Sequence, residues 1–478
     1  MGIVLPPLVE ERLASDKNLR AAVDGTVADF DAWLNDSKLP FFADYTDHGS
    51  KHLTQVLATG VGLMTKEARQ HFTSGDAAVL VIATLLHDCA LHLSEAGFWE
   101  LVKGKAAAWQ IPGFDTHPWP ELWDDFLFSA KRWDDRKLND VFGELRSGEM
   151  RSGVRDPFDH FSNLADSDRK LIGEFIRAHH PRMAHEFARF GVPGPSTEPI
   201  KVDKRLNTEL TDIAGLIARS HGLPVRQCVD YLAGKYHRRE FQGVHAVYVM
   251  ALLRVADYLQ IQADRANPIA FRYRHIPSPL SRQEWKAHNA VSNITQTHDD
   301  PESLEIQAKP DDVRTLLRLK EWLAGIQIEL DASWAVLGEI YGSHPDLRHL
   351  GLILRRVRSN LDDVDAFAKT VEYVPRRIEF DVARAQLLKL LIRPLYGDQP
   401  SIGVRELIQN AVDAVRELWF LQERHKELRG APLIEQRGDV EVWLDDPDES
   451  GFAWLAVSDR GVGMTEAVVR DYFLPSSP

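Results

Sequence analysis

From about residue 8 to 260, apolar residues recur at spacings of three and four with little strand-like alternation, so the pattern predicts a helical domain. The run from Ala77 to Leu86 is apolar on all sides, which predicts a helix inside the core rather than on its surface. A Trp- and Asp-rich segment from Trp109 to Asp135, broken by Pro112, Pro118 and Pro120, is expected as an insertion or lid, and Gly191 to Pro199 as a loop. Residues 270–310 lose the helical period and predict a short hairpin, after which Val313 to Leu337 resumes as an amphipathic helix. The stretch 341–375 carries Arg355, Arg356, Arg358 and Asp362 to Asp365, and is expected as a charged connector. Beyond Arg376 the pattern predicts two helices, about 380–395 and 402–424, and two strands, about 439–445 and 452–458, joined by the polar turn DDPDES. The expected organisation is a helical domain over 1–340 with its core at about 40–262, a connector over 341–375, and a smaller α/β part over 376–478. The fold class is mainly α.

A length of 478 residues exceeds what one hydrophobic core usually serves, which agrees with more than one domain. With 57 basic against 71 acidic residues the net charge is −14, which disfavours broad, non-specific nucleic-acid binding. Two isolated cysteines, Cys89 and Cys228, give neither a disulfide framework nor a zinc-ribbon spacing, and suit a reducing cytosol. The longest apolar run is too short to cross a bilayer, no apolar leader opens the chain, and Pro6 spoils a myristoylation signal. A cytoplasmic protein with no membrane partner is expected.

Chemistry enters where the buried run ends, at His87 and Asp88. Two polar groups carried into a core need partners. Upstream, His48 and His52 lie four apart on one helical face with Val56 a turn further on. Downstream, EFIRAHH ends in His179 and His180, IARSHG carries His221, and LLRVADYLQ sets Asp257 in an otherwise apolar helix. A metal site assembled within a helix bundle draws its ligands from such positions. A second His-Asp pair, His298-Asp299, lies in a polar loop and is read as chance, while His71, His117, His160, His185, His237 and His245 are read as ordinary core or surface histidines.

This ordered set resembles the HD superfamily of metal-dependent phosphohydrolases over roughly residues 40–262, extending to about 337. The resemblance implies that His52, His87, Asp88 and Asp257 hold a divalent cation, whether Mn, Fe, Ni, Co or Mg. It implies a second metal or a phosphate for His48, His180 and His221, with His180 preferred to His179 on the family's IR-x-x-His spacing. His92, shortly after the His-Asp pair, is a candidate catalytic helper. The implied reaction is hydrolysis of a phosphoester or phosphoanhydride in a nucleotide or nucleic acid.

The second part carries another constellation. In GVRELIQNAVDAVREL, Val404, Leu407, Ile408, Ala411, Val415 and Leu418 form an apolar stripe, while Glu406, Asn410 and Asp413 line up on another face. Some forty residues on, a strand runs into Asp459, Gly461, Gly463 and Met464, where glycine lets backbone approach a ligand closely. Together these resemble the GHKL ATPases, nearest to their HtpG chaperone branch, and imply a Bergerat-type α/β fold binding ATP and Mg. The resemblance implies that Glu406 orients or activates the attacking water, Asn410 holds Mg and Asp413 lines the pocket, with Asp459 on the adenine amino group, Gly463 and Met464 beside the base, and Gly461 a further nucleotide-binding residue of the turn. The sequence ends at YFLPSSP without the second glycine-rich loop or the later strands, so this half-domain is expected to bind ATP poorly.

The combined expectation is a metal-dependent phosphohydrolase gated by an ATP-binding module, an architecture reminiscent of bacterial conflict or defence effectors and compatible with a homodimer. The rival expectation is a chaperone-like or signalling ATP switch whose HD domain is a catalytically silent nucleotide sensor.

Overall fold

A computed structural model describes residues 2–37, 39–42, 49–133, 135–143, 154–158, 164–194, 199–261, 279–296, 299–373, 400–424, 439–444 and 455–465. The fold is mainly α, and the chain divides into two compact units, Met1–Pro375 and Arg376–Pro478.

In the first unit the helices run α1 (Pro7–Leu13), α2 (Lys17–Asp36), α3 (Ser50–Gly62), α4 (Lys66–His71), α5 (Ser74–Leu86), α6 (Glu95–Val102), α7 (Trp119–Ala130), α8 (Asp135–Phe142), α9 (Asp166–Phe190), α10 (Thr208–Ser220), α11 (Val225–Lys235), α12 (Ala246–Tyr258) and α13 (Pro279–Ala290). Strands β1 (Val291–Gln296) and β2 (Ser303–Ala308) follow, then α14 (Val313–Tyr341), β3 (Arg356–Ser359) and α15 (Val364–Ala368).

Helix α5 is the axis of this unit. A capping box between Thr73 and Asp76 starts it, and every residue from Gly75 to Leu86 is buried, as an all-apolar helix requires. Helices α2, α3, α9, α10 and α12 pack around it. Glycine permits the closest approaches: a Cβ on Gly215 of α10 would lie 2.6 Å from His185 Cδ2 of α9, and one on Gly222 would lie 2.4 Å from Pro181 Cγ. The hairpin expected between 270 and 310 is the antiparallel pair β1–β2, and β3 joins β2 in parallel.

Two expectations are corrected here. The stretch 341–375 is not a solvated connector: β3 belongs to the sheet, Ile353 N donates to Leu63 O at 2.8 Å, and Leu350, Leu352, Leu354, Leu361 and Phe367 are buried. Its apolar LGLIL segment outweighs the arginines beside it. The Trp-rich insertion is no free lid either. Trp119 and Trp123 are buried, Trp119 Nε1 donates to Glu186 Oε2 at 2.8 Å, and Asp115 pairs with the buried Arg182 and Arg219 at 3.3 and 2.5 Å. Opening it would strand those charges.

The second unit contains α16 (Pro400–Arg424) and the antiparallel strands β4 (Val440–Leu444) and β5 (Leu455–Asp459), with Val442 opposite Val457. Ala411 and Val415 of the expected stripe are buried, whereas Leu407 is exposed. The helix expected at 380–395 and the DDPDES turn lie outside the described residues.

Candidate metal centre

Three helices of the first unit bring their C-terminal ends to one place. His87 caps α5, His221 caps α10, and Asp257 lies in the last turn of α12. Helix α3 enters by its first turn with His52, and α9 passes with His180 at its middle. The ligand atoms of His52, His87, Asp88 and Asp257 all lie within 4.8 Å of one another, as do those of Asp88, His180 and His221. Asp88 belongs to both groups. His87 Nε2 is 3.2 Å from Asp88 Oδ2 and 3.6 Å from Asp257 Oδ1, His52 Nε2 is 3.8 and 3.9 Å from the same atoms, and His180 Nε2 is 3.5 Å from Asp88 Oδ1.

The rings are held by backbone. His87 Nδ1 lies 2.7 Å from Thr84 O, His180 Nδ1 2.8 Å from Arg177 O, and His221 Nδ1 2.6 Å from Ala218 O. A carbonyl only accepts, so each Nδ1 carries a proton and each Nε2 faces the cluster, where it offers a lone pair whenever the ring is neutral. The carbonyls are free to accept for reasons written in the sequence. Thr84 and Ala218 fall in the last turns of α5 and α10, where no amide follows to bond them. Arg177 lies mid-helix, but the residue four further on is Pro181, which has no N–H to give.

The electrostatics suit a cation. Burial presses His87 toward neutrality, yet Asp88 and Asp257 outweigh it and hold its pKa well above the ordinary histidine value. For Asp257, burial pushes the carboxyl up, but the His87 hydrogen bond and charge hold it below the usual range. Burial lowers His180, and lowers His221 to about 4 with a further push from His180. Two carboxylates bring two negative charges into a largely enclosed site, where a proton on His87 offsets part of them and a divalent cation would offset them in its place. Nitrogen and oxygen donors with preset lone pairs fit such an ion; the set does not by itself select one metal.

The other expected residues are placed as follows. His92 is not brought to the cluster: its 3₁₀ turn, Cys89–His92, directs the ring to Trp33, with centroids 5.8 Å apart. His48 lies outside the described residues. His179 turns away to Phe175 and Trp119, with ring centroids 4.6 and 6.0 Å apart. In the second unit Glu406, Asn410 and Asp413 are exposed along α16. Gly461 abuts that helix so closely that a Cβ would lie 2.4 Å from the Ala414 carbonyl carbon. Asp459 Oδ1 accepts from Gly461 N at 2.9 Å, Gly463 has φ +64°, and Met464 is exposed.

Three supporting residues were not anticipated. Pro181 frees the carbonyl that orients His180. Arg254, one turn before Asp257, donates to Leu223 O at 2.8 Å and to Ser220 O, beside His221, while Glu329 of α14 receives it at 2.5 and 2.6 Å. A proline directly after His180 and an arginine in the apolar α12 were the available signals.

The HD-CE family pattern matches residues 42–332, well over half of the 478-residue chain and a span that includes every member of both ligand groups. The chain belongs to the HD-CE family. Besides the HD-CE match, a stretch of 89 residues is 33% identical to the chaperone protein HtpG of Aliarcobacter butzleri, covering 19% of this chain and 13% of that one. Another of 95 residues is 34% identical to HtpG of Mycobacterium ulcerans, covering 20% and 13%. A third of 98 residues is 33% identical to an endoplasmin homolog of Hordeum vulgare, covering 20% and 11%. The chain therefore spans only about an eighth of the length of these curated relatives. No solved structure matches it. Among the described residues no helix is long and apolar enough to cross a membrane. An HD-type domain with this His/Asp cluster is compatible with a metal-dependent hydrolase.

Proposed function

We propose that the first unit is a phosphohydrolase that cleaves a phosphoester or phosphoanhydride of a nucleotide or nucleic acid, with His52, His87, Asp88 and Asp257 holding a divalent cation. The observation that carries this reading is the convergence of imidazole and carboxylate groups whose Nε2 lone pairs are already aimed inward. A divalent cation supplies a nucleophile near neutral pH and offsets charge on the phosphoryl oxygens. The chain's own residues orient and confine. Thr84 O and Ala218 O fix the His87 and His221 rings, Asp88 joins the two ligand groups, and His180 with His221 takes a second cation or a phosphoryl oxygen. The buried walls of α5, α10 and α12 exclude bulk water from the back of the site.

The second unit we infer to be the opening part of a GHKL-type ATP module that gates this hydrolase. Supporting it are the HtpG and endoplasmin matches and the contact of Gly461 with the helix that bears Glu406, Asn410 and Asp413. In this reading Asn410 holds Mg, Glu406 orients water, and Asp459 meets the base.

The test combines metal analysis of the purified chain with a hydrolysis screen over nucleotides, cyclic nucleotides and single-stranded nucleic acid, with and without Mn, beside the His87→Ala/Asp88→Ala protein. Turnover that requires metal and disappears in the variant is the expected result. Bound metal without turnover turns the reading toward a silent nucleotide sensor, and absence of both metal and turnover overturns it.

A further inference from the structure

His180 and His221 come from different helices, α9 and α10, and each ring is tied to a carbonyl of its own helix, Arg177 O and Ala218 O. The distance between their Nε2 atoms, 2.7 Å, is therefore set by how the two helices are held together at this point. Two imidazole nitrogens on a single cation, each about 2 Å from it, stand about 3 Å apart. A shift of about 1 Å between the helices is enough to spoil such a pair.

What holds the helices here comes from the Trp-rich insertion. Asp115, its side chain 1% exposed, receives Arg219 of α10 at two points, Nη2 to Oδ1 at 2.5 Å and Nη1 to Oδ2 at 3.3 Å, and Arg182 Nε of α9 at 3.3 Å. Arg182 lies two residues after His180, and Arg219 two before His221. Both arginines are buried, and without the carboxylate between them their charges would repel. Among the described residues Asp115 is the only carboxylate that pairs with Arg219, whereas Arg182 also has Glu186 at 2.9 Å. The carboxylate is itself held in place: Ile111 N donates to its Oδ2 at 2.7 Å, and the rings of Phe114 and Trp119 lie 5.1 and 4.3 Å from the Arg219 and Arg182 guanidinium carbons. Losing it would leave α10 ending in a buried cation that must move toward another partner, and His221 would move with that end.

We propose that Asp115 is a positioning residue for the Asp88, His180 and His221 group: it clamps α9 to α10 and so keeps both imidazoles on one cation. The inference rests on the reading above in which His180 and His221 take a second cation.

Mn titration of the full chain tests it, read by calorimetry and by the paramagnetic resonance of the unbound ion. The unaltered chain should bind two ions, and His180→Ala/His221→Ala only one. Asp115→Asn should weaken the second ion tenfold or more and leave the first within threefold, a selective loss that general destabilisation does not produce. Asp115→Leu/Arg219→Met replaces the buried pair by apolar side chains, which preserves the fold where a stranded arginine would not. It should show the same selective loss while its melting temperature stays at or above that of Asp115→Asn. Second-ion affinity that survives in both variants, or that returns together with stability in the double variant, overturns the clamp, as does an equal loss of both ions in the folded double variant. One bound ion in the unaltered chain, or a second ion that persists in His180→Ala/His221→Ala, instead overturns the second-cation reading beneath it.

Discussion

His180 Nε2 lies 2.7 Å from His221 Nε2, although both rings have committed their Nδ1 protons to carbonyl oxygens. Two lone pairs this close repel unless a proton or a cation stands between them. Burial lowers the pKa of both rings, which disfavours the proton. The contact of Gly222 with Pro181 is what permits the approach, since a Cβ on that glycine would meet the proline ring.

Pro181→Ala separates stability from function. Alanine restores the amide that α9 lacks, a gain of up to about 3 kcal/mol in a helix interior. The same amide competes for Arg177 O and releases His180 Nδ1. Metal affinity should fall about ten- to a hundredfold, as for other ring-orienting partners, while the melting temperature holds or rises. Calorimetric metal titration beside thermal melts checks this, and a parallel fall in both would refute it.

Asp76 and His245 tie together the beginnings of α5 and α12, the two helices that deliver His87, Asp88 and Asp257. His245 donates to Asp76 from its backbone N at 2.6 Å and from Nδ1 at 2.8 Å. Burial lowers the ring's pKa, but the Asp76 hydrogen bond and charge outweigh it, so the folded-state value stands above the ordinary one. This contribution is complete below about pH 6.5 and is lost as pH rises through the raised folded value. His245→Ala should therefore cost roughly 2 kcal/mol at pH 6 and less at pH 9, as read from urea unfolding at the two values. A constant difference would show that the charge on His245 does not matter.

Glu329→Gln should be among the costlier single changes in the first unit. It leaves the buried Arg254 without its carboxylate, a loss of about 3–5 kcal/mol. Arg254→Met/Glu329→Leu should recover most of that stability, because an apolar pair needs no desolvation of charge. The double variant nevertheless removes the donor to Ser220 O, next to His221, so metal affinity should stay low after stability returns. Denaturant midpoints and metal titration on the same samples distinguish the two effects.

Within the second unit, Gly461→Ala should destabilise more than Gly463→Ala. The first drives a methyl group against Ala414 backbone, overpacking worth about 1–3 kcal/mol. The second has open space and meets only the strain of φ +64°, about 1–2 kcal/mol. Protease resistance of this unit at graded urea concentrations orders the two.

Much of the helical unit was legible because its signals are periodic or exceptional. The run into His87 and Asp88 announced a buried helix with polar freight, and the ends of α10 and α12 marked His221 and Asp257. The cluster geometry brings these residues together. His92 shows the limit: adjacency to the His-Asp pair suggested a role, but a 3₁₀ turn rotates its ring to Trp33, and sequence distance carries no such rotation. The LGLIL segment was obscured by neighbouring arginines, since a residue's burial depends on its partners across space. Asp115 was unreadable for the same reason, its partners Arg182 and Arg219 being 67 and 104 positions away, as their numbers give.

The meeting of three helix C-termini sets an order of events at the cluster. Each such end carries about half a negative charge, added to the carboxylates of Asp88 and Asp257. A phosphate approaching that field alone is repelled, whereas a divalent cation is drawn in and cancels much of it. On the proposed hydrolase reading, loading is therefore sequential, metal before substrate, with the scaffold itself opposing a phosphate compound that arrives first.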